Sequence, residues 1–200
     1  VDIVLNPLGV PKGLKNTVFP FQYNNIDELK TIIRENPDLA AVKMEVVRSV
    51  EPKKGYLEEV RRLCTKNNIV LIFDECTSGF RETFGGVHKK YQVFPDLCMF
   101  GKALGNGYAI TAVIGKREIM ESAQKTFISS TFWTESIGPT AALKTLELME
   151  SQKTWVKITK IGTITKKDLK YYDHDKEIKM NLKASMGKGM TLSQRVVNTQ

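Results

Sequence analysis

An acid and a lysine stand 28 positions apart in this sequence, each beyond the end of a short apolar segment. Asp74 directly follows the run 69–73, and Lys102 follows the run 97–100 with Gly101 between them. Five consecutive apolar residues, three of them β-branched, are typical of a strand buried on both faces in a parallel sheet. Such strands present their functional groups at their carboxyl ends. We therefore expect Asp74 and Lys102 to share one edge of one sheet.

These two side chains suit a chemistry in which a carboxylate and an amine have different tasks. In pyridoxal-phosphate chemistry a lysine amine forms a Schiff base with the cofactor aldehyde, and an aspartate pairs with the pyridinium nitrogen. The protonated ring takes up electrons when the substrate Cα loses a proton, and the released lysine can move that proton. Glycines at 101, 105 and 107 would let the backbone approach a cofactor closely.

A strand that ends in Asp-Glu is also found in ATPases, so an ATPase is the first alternative. It needs a phosphate loop of the form Gly-x-x-x-x-Gly-Lys-Ser/Thr elsewhere in the chain. The Gly-Lys pairs that begin at 101, 115 and 187 are not followed by Ser or Thr, and none has a glycine five positions earlier. The sequence therefore disfavours an ATPase.

The formal net charge of +8 belongs almost entirely to the end of the chain. Residues 152–200 carry 11 Lys and Arg against 4 Asp and Glu, whereas residues 1–151 are nearly balanced. A basic run of this kind, without a known nucleic-acid motif, is usually a solvated face or a disordered end. We therefore expect no nucleic-acid partner, with binding by the basic end as the minor alternative.

The cellular compartment is indicated by cysteine usage and by the lengths of the apolar runs. Cys64, Cys76 and Cys98 are widely spaced and odd in number, which favours free thiols in a reducing compartment. No apolar run approaches the ~20 residues that span a bilayer. The first residues include no initiator Met and no basic signal region, as is typical of an internal segment. We expect a cytoplasmic protein with no membrane partner.

The predicted elements alternate between helices and strands, which is the pattern of parallel α/β layers with right-handed crossovers. Asn25 is expected to cap the first helix. Residues 77–92 are too irregular for a core element, and residues 126–134 form either a strand or a loop. The remaining pattern predicts helices at 26–36, 57–66, 116–124 and 136–149, and strands at 39–44, 69–73, 97–100 and 110–114.

The pattern changes after Trp155. Short β-like runs at 156–158 and 161–165 lead into a lysine-rich end that is poor in apolar residues. From residue 180 onwards the composition predicts no packed element.

Two separated motifs carry a resemblance to a known family. Residues 74–81 (Asp-Glu-Cys-Thr-Ser-Gly-Phe-Arg), followed by Pro95-Asp96-Leu97 and by the lysine segment 101–107, resemble the core of class III aminotransferases. The glutamate-1-semialdehyde aminomutase-like branch, with the motif Asp-Glu-Val-x-x-Gly-Phe-Arg, is the most similar. The resemblance covers about residues 10–155. It implies a fold-type-I pyridoxal-phosphate enzyme, usually a homodimer with active sites at the subunit interface.

The resemblance also implies roles for individual residues. Asp74 would pair with the pyridine nitrogen of pyridoxal 5'-phosphate, and Lys102 would be the Schiff-base lysine. Cys76 stands where the family has a valine that packs on the cofactor ring; ordinary core packing is the alternative for this small, weakly polar side chain. Thr131, in Ser130-Thr131-Phe132, would contact the cofactor phosphate of the neighbouring subunit. No residue is assigned to a metal ion.

The function implied by the resemblance is transfer of an amino group from a small-molecule donor to an acceptor through a Lys102 aldimine. The enzyme would be a transaminase, or an aminomutase and hence an isomerase. The alternative is a catalytically silent fragment or binding module that retains the aminotransferase fold.

The expected domain organisation is that of an internal fragment. Residues 1–155 would be a partial pyridoxal-phosphate-binding large domain, with an incomplete three-layer α/β structure around a mostly parallel sheet. Residues 156–200 would be a basic, poorly ordered or aberrant tail. The phosphate-binding loop of the family has no counterpart in this sequence, so we expect poor activity from the chain alone and a sheet with an uncovered edge and face.

Overall fold

The computed structural model of the chain describes residues 11–14, 16–48, 50–128 and 134–173. The chain divides after Trp155 into two units, and the first of them contains the sheet. None of the helices in the described ranges combines the length and the apolar character that a bilayer crossing demands.

A four-stranded sheet organises the first unit, with the strands in their sequence order from one edge to the other. The first three strands are parallel to one another, whereas the fourth runs antiparallel to the third. The expectation of a mostly parallel α/β sheet is therefore confirmed, with one antiparallel edge strand that the apolar pattern did not reveal. The strands are β1 (Ala41–Met44), β2 (Val70–Asp74), β3 (Leu97–Phe100) and β4 (Ala112–Gly115).

Most helices of the first unit lie close to their predicted positions, but the one-turn helix His88–Tyr91 lies in the stretch 77–92, which was expected to be irregular. The first helix begins after Asn25, whose side-chain oxygen accepts a hydrogen bond from the Glu28 amide at 3.3 Å, as the sequence predicted. The predicted helix at 116–124 is split, because its second half is a 3-10 turn, Glu121–Lys125. The α-helices are α1 (Ile26–Glu35), α2 (Tyr56–Lys66), α3 (His88–Tyr91), α4 (Arg117–Met120), α5 (Ile137–Gln152) and α6 (Thr154–Asp173).

The core lies on one face of the sheet, which we call the covered face. Alternate strand residues point to this face and join the apolar stripes of α1 and α2 in one buried cluster. The strand members are Val42, Met44, Leu71, Phe73, Cys98 and Phe100, and the helix members include Leu29, Ile33, Leu57, Val60 and Leu63.

The opposite face of the sheet, which we call the open face, is only partly buried. Val70 and Ile72 of β2 point to it and are intermediate in exposure, whereas Leu71 and Phe73, which alternate with them, are fully buried. The expectation that this strand is buried on both faces was therefore wrong, because Val70 and Ile72 remain partly exposed on the open face. The open face and the largely exposed strand β4 fit the uncovered face and edge that the sequence led us to expect.

Helix α6 corrects the prediction for the residues that follow Trp155. The runs 156–158 and 161–165 are helical and not β-like. Trp155, Ile158, Ile161 and Ile164 recur every three residues, which is helical spacing, although β-branched side chains drew the prediction towards strands. The expected domain character of residues 156–200 stays a prediction, and residues 174–200 lie outside the described ranges.

Candidate active site

Asp74 is the last residue of β2 and belongs to the open face of the sheet. Its side chain is 22% exposed, and its Oδ2 atom lies 2.9 Å from the Nζ atom of Lys43 on β1. The other oxygen, Oδ1, accepts a hydrogen bond from the Cys76 amide at 3.1 Å. Both oxygens of this strand-end carboxylate therefore have partners from the protein itself.

These partners decide the ionisation of Asp74. Burial alone would raise the pKa of the carboxyl group, but the hydrogen bonds from Lys43 and from the Cys76 amide outweigh it and hold the pKa below its ordinary value. Asp74 is consequently a carboxylate at neutral pH, which is the form that pairs with a cation.

Lys102 lies at the same edge of the sheet as Asp74. It follows β3 after Gly101, and β3 is the parallel neighbour of β2. The Lys102 Nζ atom donates a hydrogen bond of 2.7 Å to Oγ1 of Thr77, which belongs to the turn after Asp74. A Cβ atom on Gly101 would lie 3.6 Å from the Cys76 sulfur, so the two chain segments approach closely. The structure thus brings the predicted acid and lysine together.

The backbone of Lys102 has an uncommon conformation. Its φ of 45° lies in the left-handed region, which side chains other than glycine adopt at a cost of about 1–2 kcal/mol. Lys102 also begins a short 3-10 turn, Lys102–Leu104. The lysine is therefore held by a tight turn at the end of β3, with its amine close to the turn that follows β2.

Cys76 lies near Asp74, Lys43 and Lys102, and its side chain is partly buried. Burial raises the pKa of its thiol, Asp74 raises it further, and the positive charges of Lys102 and Lys43 act in the opposite direction. The thiol is therefore neutral at physiological pH and suits a packing role. We call Lys43, Asp74, Cys76, Thr77 and Lys102 the carboxyl-edge cluster.

Thr131, the remaining predicted cofactor contact, lies in the segment 129–133, outside the described residues. Its role stays a prediction.

The sequence reasoning missed Lys43 as a member of the site. It stands in an apolar strand, beside Val42 and Met44. A lysine at this point of a strand that leads to the same sheet edge as Asp74 was the available signal. Its ion pair was not foreseen because partners on neighbouring strands depend on the register of the sheet.

Glu75, directly after Asp74, belongs to a second polar group under the site. Its side chain is fully buried, and its Oε1 atom accepts hydrogen bonds from the amide of His88 at 3.0 Å and from the Nδ1 atom of His88 at 2.9 Å. The hydroxyl of Ser78 donates to the other oxygen at 2.5 Å. The Cys98 sulfur is 4.0 Å from the same Nδ1 atom, which completes a buried Glu-His-Cys group. Its carboxylate and imidazole already bind each other, so the group is a hydrogen-bond network that fixes the turn after β2.

Asp96 anchors the opposite end of the sheet, just before β3. Its Oδ2 atom accepts hydrogen bonds of 2.8 Å from the Leu71 amide and from Arg61 of α2. Its Oδ1 atom lies 2.8 Å from the Nζ atom of Lys116, which follows β4. The carboxylate therefore connects the three strands β2, β3 and β4 to a helix, and its place is structural.

The sequence that carries this cluster matches a known protein family. The sequence model of the family described as Aminotransferase class-III matches residues 17–194. The chain belongs to the class III aminotransferase family. The resemblance carried by residues 74–81 and 101–107 is therefore confirmed.

Relatives within the class III aminotransferase family include enzymes with different reactions. The chain is 44% identical over 153 residues to a 3-aminobutyryl-CoA aminotransferase of Cloacimonas acidaminovorans (strain Evry), and the matched region covers 72% of this chain and 37% of the relative. It is 38% identical over 152 residues to a glutamate-1-semialdehyde 2,1-aminomutase of Nitrosopumilus maritimus (strain SCM1), and that matched region covers 72% of this chain and 36% of the relative. The chain thus spans little more than a third of the length of either relative.

Solved structures of transaminases share the fold of this class III aminotransferase chain. An ornithine aminotransferase from Plasmodium yoelii is 26% identical, with a TM-score of 0.69 over 78% of this chain and 43% of that one. An omega-transaminase from Sphaerobacter thermophilus is 28% identical, with a TM-score of 0.65 over 70% of this chain and 34% of that one. The four-stranded sheet and its helices are therefore a part of the fold-type-I domain.

Proposed function

We propose that this chain carries the cofactor-binding core of a pyridoxal-phosphate-dependent enzyme that transfers an amino group, as a transaminase or an aminomutase. One observation carries the proposal: the ionised Asp74 and the amine of Lys102 stand at the carboxyl ends of two adjacent parallel strands. Membership of the class III aminotransferase family gives this pair its chemical meaning. The substrates are a small-molecule amino donor and acceptor.

The residues present fit pyridoxal 5'-phosphate. Asp74 is ionised and already binds one cation, so it is suited to hold a proton on a ring nitrogen. The amine of Lys102 is bound by the neutral hydroxyl of Thr77, which releases it for covalent attachment more readily than an ion pair would. When bound, the cofactor supplies an aldehyde for that attachment and a ring that takes up the electron pair left at the substrate Cα.

Each residue of the carboxyl-edge cluster then has a task of its own. Asp74 would accept the hydrogen bond of the protonated ring nitrogen. Lys102 would hold the cofactor covalently before the substrate arrives and would afterwards carry the proton at the substrate Cα. Thr77 holds the Lys102 amine near the end of β2 through its hydroxyl. Cys76, as a neutral thiol close to Asp74 and Lys102, would pack on the ring.

The finer features of the whole protein belong to the same proposal. We infer a homodimer in which Thr131 contacts the cofactor phosphate of the neighbouring subunit, which would make the assembly necessary for tight binding. Three free thiols, two of them buried, support a reducing cytoplasmic location. Neither a nucleic acid nor a membrane is part of this proposal.

Covalent trapping tests the proposed function directly. The purified chain is mixed with pyridoxal phosphate and reduced with borohydride, and the labelled peptide is identified by mass spectrometry. We expect the pyridoxyl group on Lys102, and none at that position in the Lys102→Ala variant. The exposed turn residue Lys54 provides the matched control, since Lys54→Ala should leave the labelling unchanged. Labelling at Lys54 or Lys116 in place of Lys102 would refute the proposal.

The role of Asp74 is tested in a preparation that turns over. Asp74→Asn should still be labelled at Lys102, but the half-reaction with an amino donor should slow by about a hundred-fold or more, because the ring nitrogen loses its charged partner. A rate close to that of the unchanged protein would show that Asp74 does not hold the ring nitrogen.

A further inference from the structure

The Lys43 ammonium binds the carboxylate of Asp74, which the proposed function assigns to the ring nitrogen of the cofactor. Its Nζ atom lies 2.9 Å from Oδ2 of Asp74, at ion-pair distance. The sheet register makes this contact possible, because Lys43 on β1 pairs with Ile72 on β2 and Asp74 is the next residue along β2 on the same face. The backbone of Lys43 is fixed by this register, so only its side chain can leave Asp74.

The ion pair lies in a position where it can open. The Lys43 side chain is 54% exposed and that of Asp74 is 22% exposed, so water can replace either partner. Partly exposed pairs of this kind contribute little to stability. The contact is therefore a competitor for Asp74 and not a rigid part of the fold.

A cationic ring nitrogen would have to share Asp74 with the Lys43 ammonium. A carboxylate has about four lone-pair positions, so a third donor can bind beside Lys43 and the Cys76 amide. The second positive charge would then lie within a few ångströms of the first, and like charges at that distance repel. The ring nitrogen binds Asp74 better when the Lys43 ammonium moves away. Because that movement breaks the ion pair, it reduces the net free energy of cofactor binding.

We propose that Lys43 is a specificity-determining residue of this site, whose ammonium competes with a protonated ring nitrogen for Asp74 and weakens binding of pyridine-type cofactors. The inference rests on the proposed function, since it takes the ring nitrogen as the group that Asp74 binds. Lys43 acts through Asp74 and needs no contact with the substrate. Removal of the Lys43 charge should increase the affinity for a cofactor with a protonated ring nitrogen by about three- to five-fold, the size expected for a partly exposed ion pair.

The test compares two ligands on four proteins: the unchanged protein, two variants at Lys43 and one control variant. Dissociation constants are measured by absorbance for pyridoxal phosphate and for an analogue with a C–H group in place of the ring nitrogen. Lys43→Met should bind pyridoxal phosphate about three- to five-fold more tightly and the analogue with unchanged affinity, whereas Lys43→Arg should resemble the unchanged protein. Equal shifts for both ligands, or no shift for either, would overturn the inference. Lys53→Met, on the turn before α2, controls for a general loss of positive charge.

A second measurement needs no cofactor. In the protein with carbon-13-labelled aspartate carboxyl groups, Lys43→Met should raise the pKa of Asp74, because the ammonium that favours its ionised form is gone. An unchanged Asp74 titration would show that the ion pair does not form in solution, and would overturn the inference.

The two proposals fail in different ways. If borohydride labels Lys102 in both the unchanged protein and Lys43→Met, but the two bind pyridoxal phosphate with equal affinity, the proposed competition is wrong and the proposed function stands. If Lys102 is labelled in neither protein, the proposed function is wrong, and the competition for a ring nitrogen falls with it.

Discussion

The carboxylate of Glu75 holds His88 by two hydrogen bonds, one from its backbone amide and one from its ring Nδ1 atom. The two residues are 13 positions apart, so the contact closes the segment between them into a loop at the end of β2. That loop contains Cys76 and Thr77 of the carboxyl-edge cluster. A buried network thus fixes, from within the core, the turn on which the candidate site is built.

Replacement of Glu75 should destabilise the fold strongly. Glu75→Ala leaves the buried His88 amide and ring without an acceptor, and we expect the free energy of unfolding to fall by about 3–5 kcal/mol. Glu75→Gln keeps one acceptor oxygen and should cost about 1–2 kcal/mol. Urea unfolding followed by circular dichroism measures both. The exposed Glu82, which pairs with Lys90, is the control, and a Glu75→Ala loss no larger than that of Glu82→Ala would contradict the prediction.

Stability should decrease in acid. Burial alone raises the pKa of Glu75 and of Asp96, but the hydrogen bonds from His88, from Ser78 and from the Leu71 amide outweigh it, so both folded-state pKa values lie below the ordinary ones. A lowered folded-state pKa stabilises the protein above the unfolded-state pKa and loses that effect as the pH falls through the folded value.

We therefore expect an unfolding free energy that is nearly constant from neutrality to about pH 5 and falls steeply below about pH 4. Urea unfolding across this range measures the free energy at each pH. Its dependence on pH should be less steep in Glu75→Gln, which has one titrating carboxyl group fewer. A constant free energy down to about pH 3 would contradict the assigned direction of the pKa shifts.

The functional residues at the strand ends were predictable from the sequence, whereas their side-chain partners on neighbouring strands were not. Asp74 and Lys102 follow apolar runs whose parallel pairing was expected, and this was enough to place them at one edge. Lys43 became a partner of Asp74 through the register between β1 and β2, which depends on the packing of whole strands. Asn25 was predictable as a cap because its partner, Glu28, is local in the sequence.

Asp96 should be essential for stability. Asp96→Ala would leave Arg61, Lys116 and the Leu71 amide without their acceptor, and we expect a loss of about 3–5 kcal/mol in the free energy of unfolding. Asp27→Ala removes an exposed partner of Lys30 and serves as the control, with an expected change below about 1 kcal/mol. Denaturant unfolding distinguishes the two, and similar losses would show that Asp96 is not a structural anchor.

The left-handed backbone of Lys102 predicts an unusual order of stabilities. Lys102→Gly should be more stable than Lys102→Ala by about 1 kcal/mol, because glycine adopts a positive φ without the clash of a Cβ atom. The same two substitutions at Lys30, inside α1, should give the opposite order, since glycine weakens a helix relative to alanine. Thermal unfolding of the four variants measures this. An alanine variant at 102 that equals the glycine variant would mean that the turn relaxes.

The end of the chain shows why short apolar runs mislead. Residues 156–165 are rich in β-branched side chains, and their local alternation favoured strands. The three-residue recurrence of Trp155, Ile158 and Ile161 was the better signal, because it continues over several turns of α6. The intrinsic preference of β-branched residues for strands is weak, and the three-residue recurrence of apolar side chains was the better guide to the structure.

Asp74 and Glu75 are neighbours in the chain, yet one faces the open side of the sheet and the other is enclosed beneath it. Under the proposed function, a library of random variants would treat the two positions differently. Selection for protein abundance in cells would remove most substitutions at 75 and tolerate many at 74, whereas selection for amino-group transfer would remove both. Two adjacent positions, the last residue of β2 and the residue after it, would thus show opposite tolerance when such a library is selected for protein abundance.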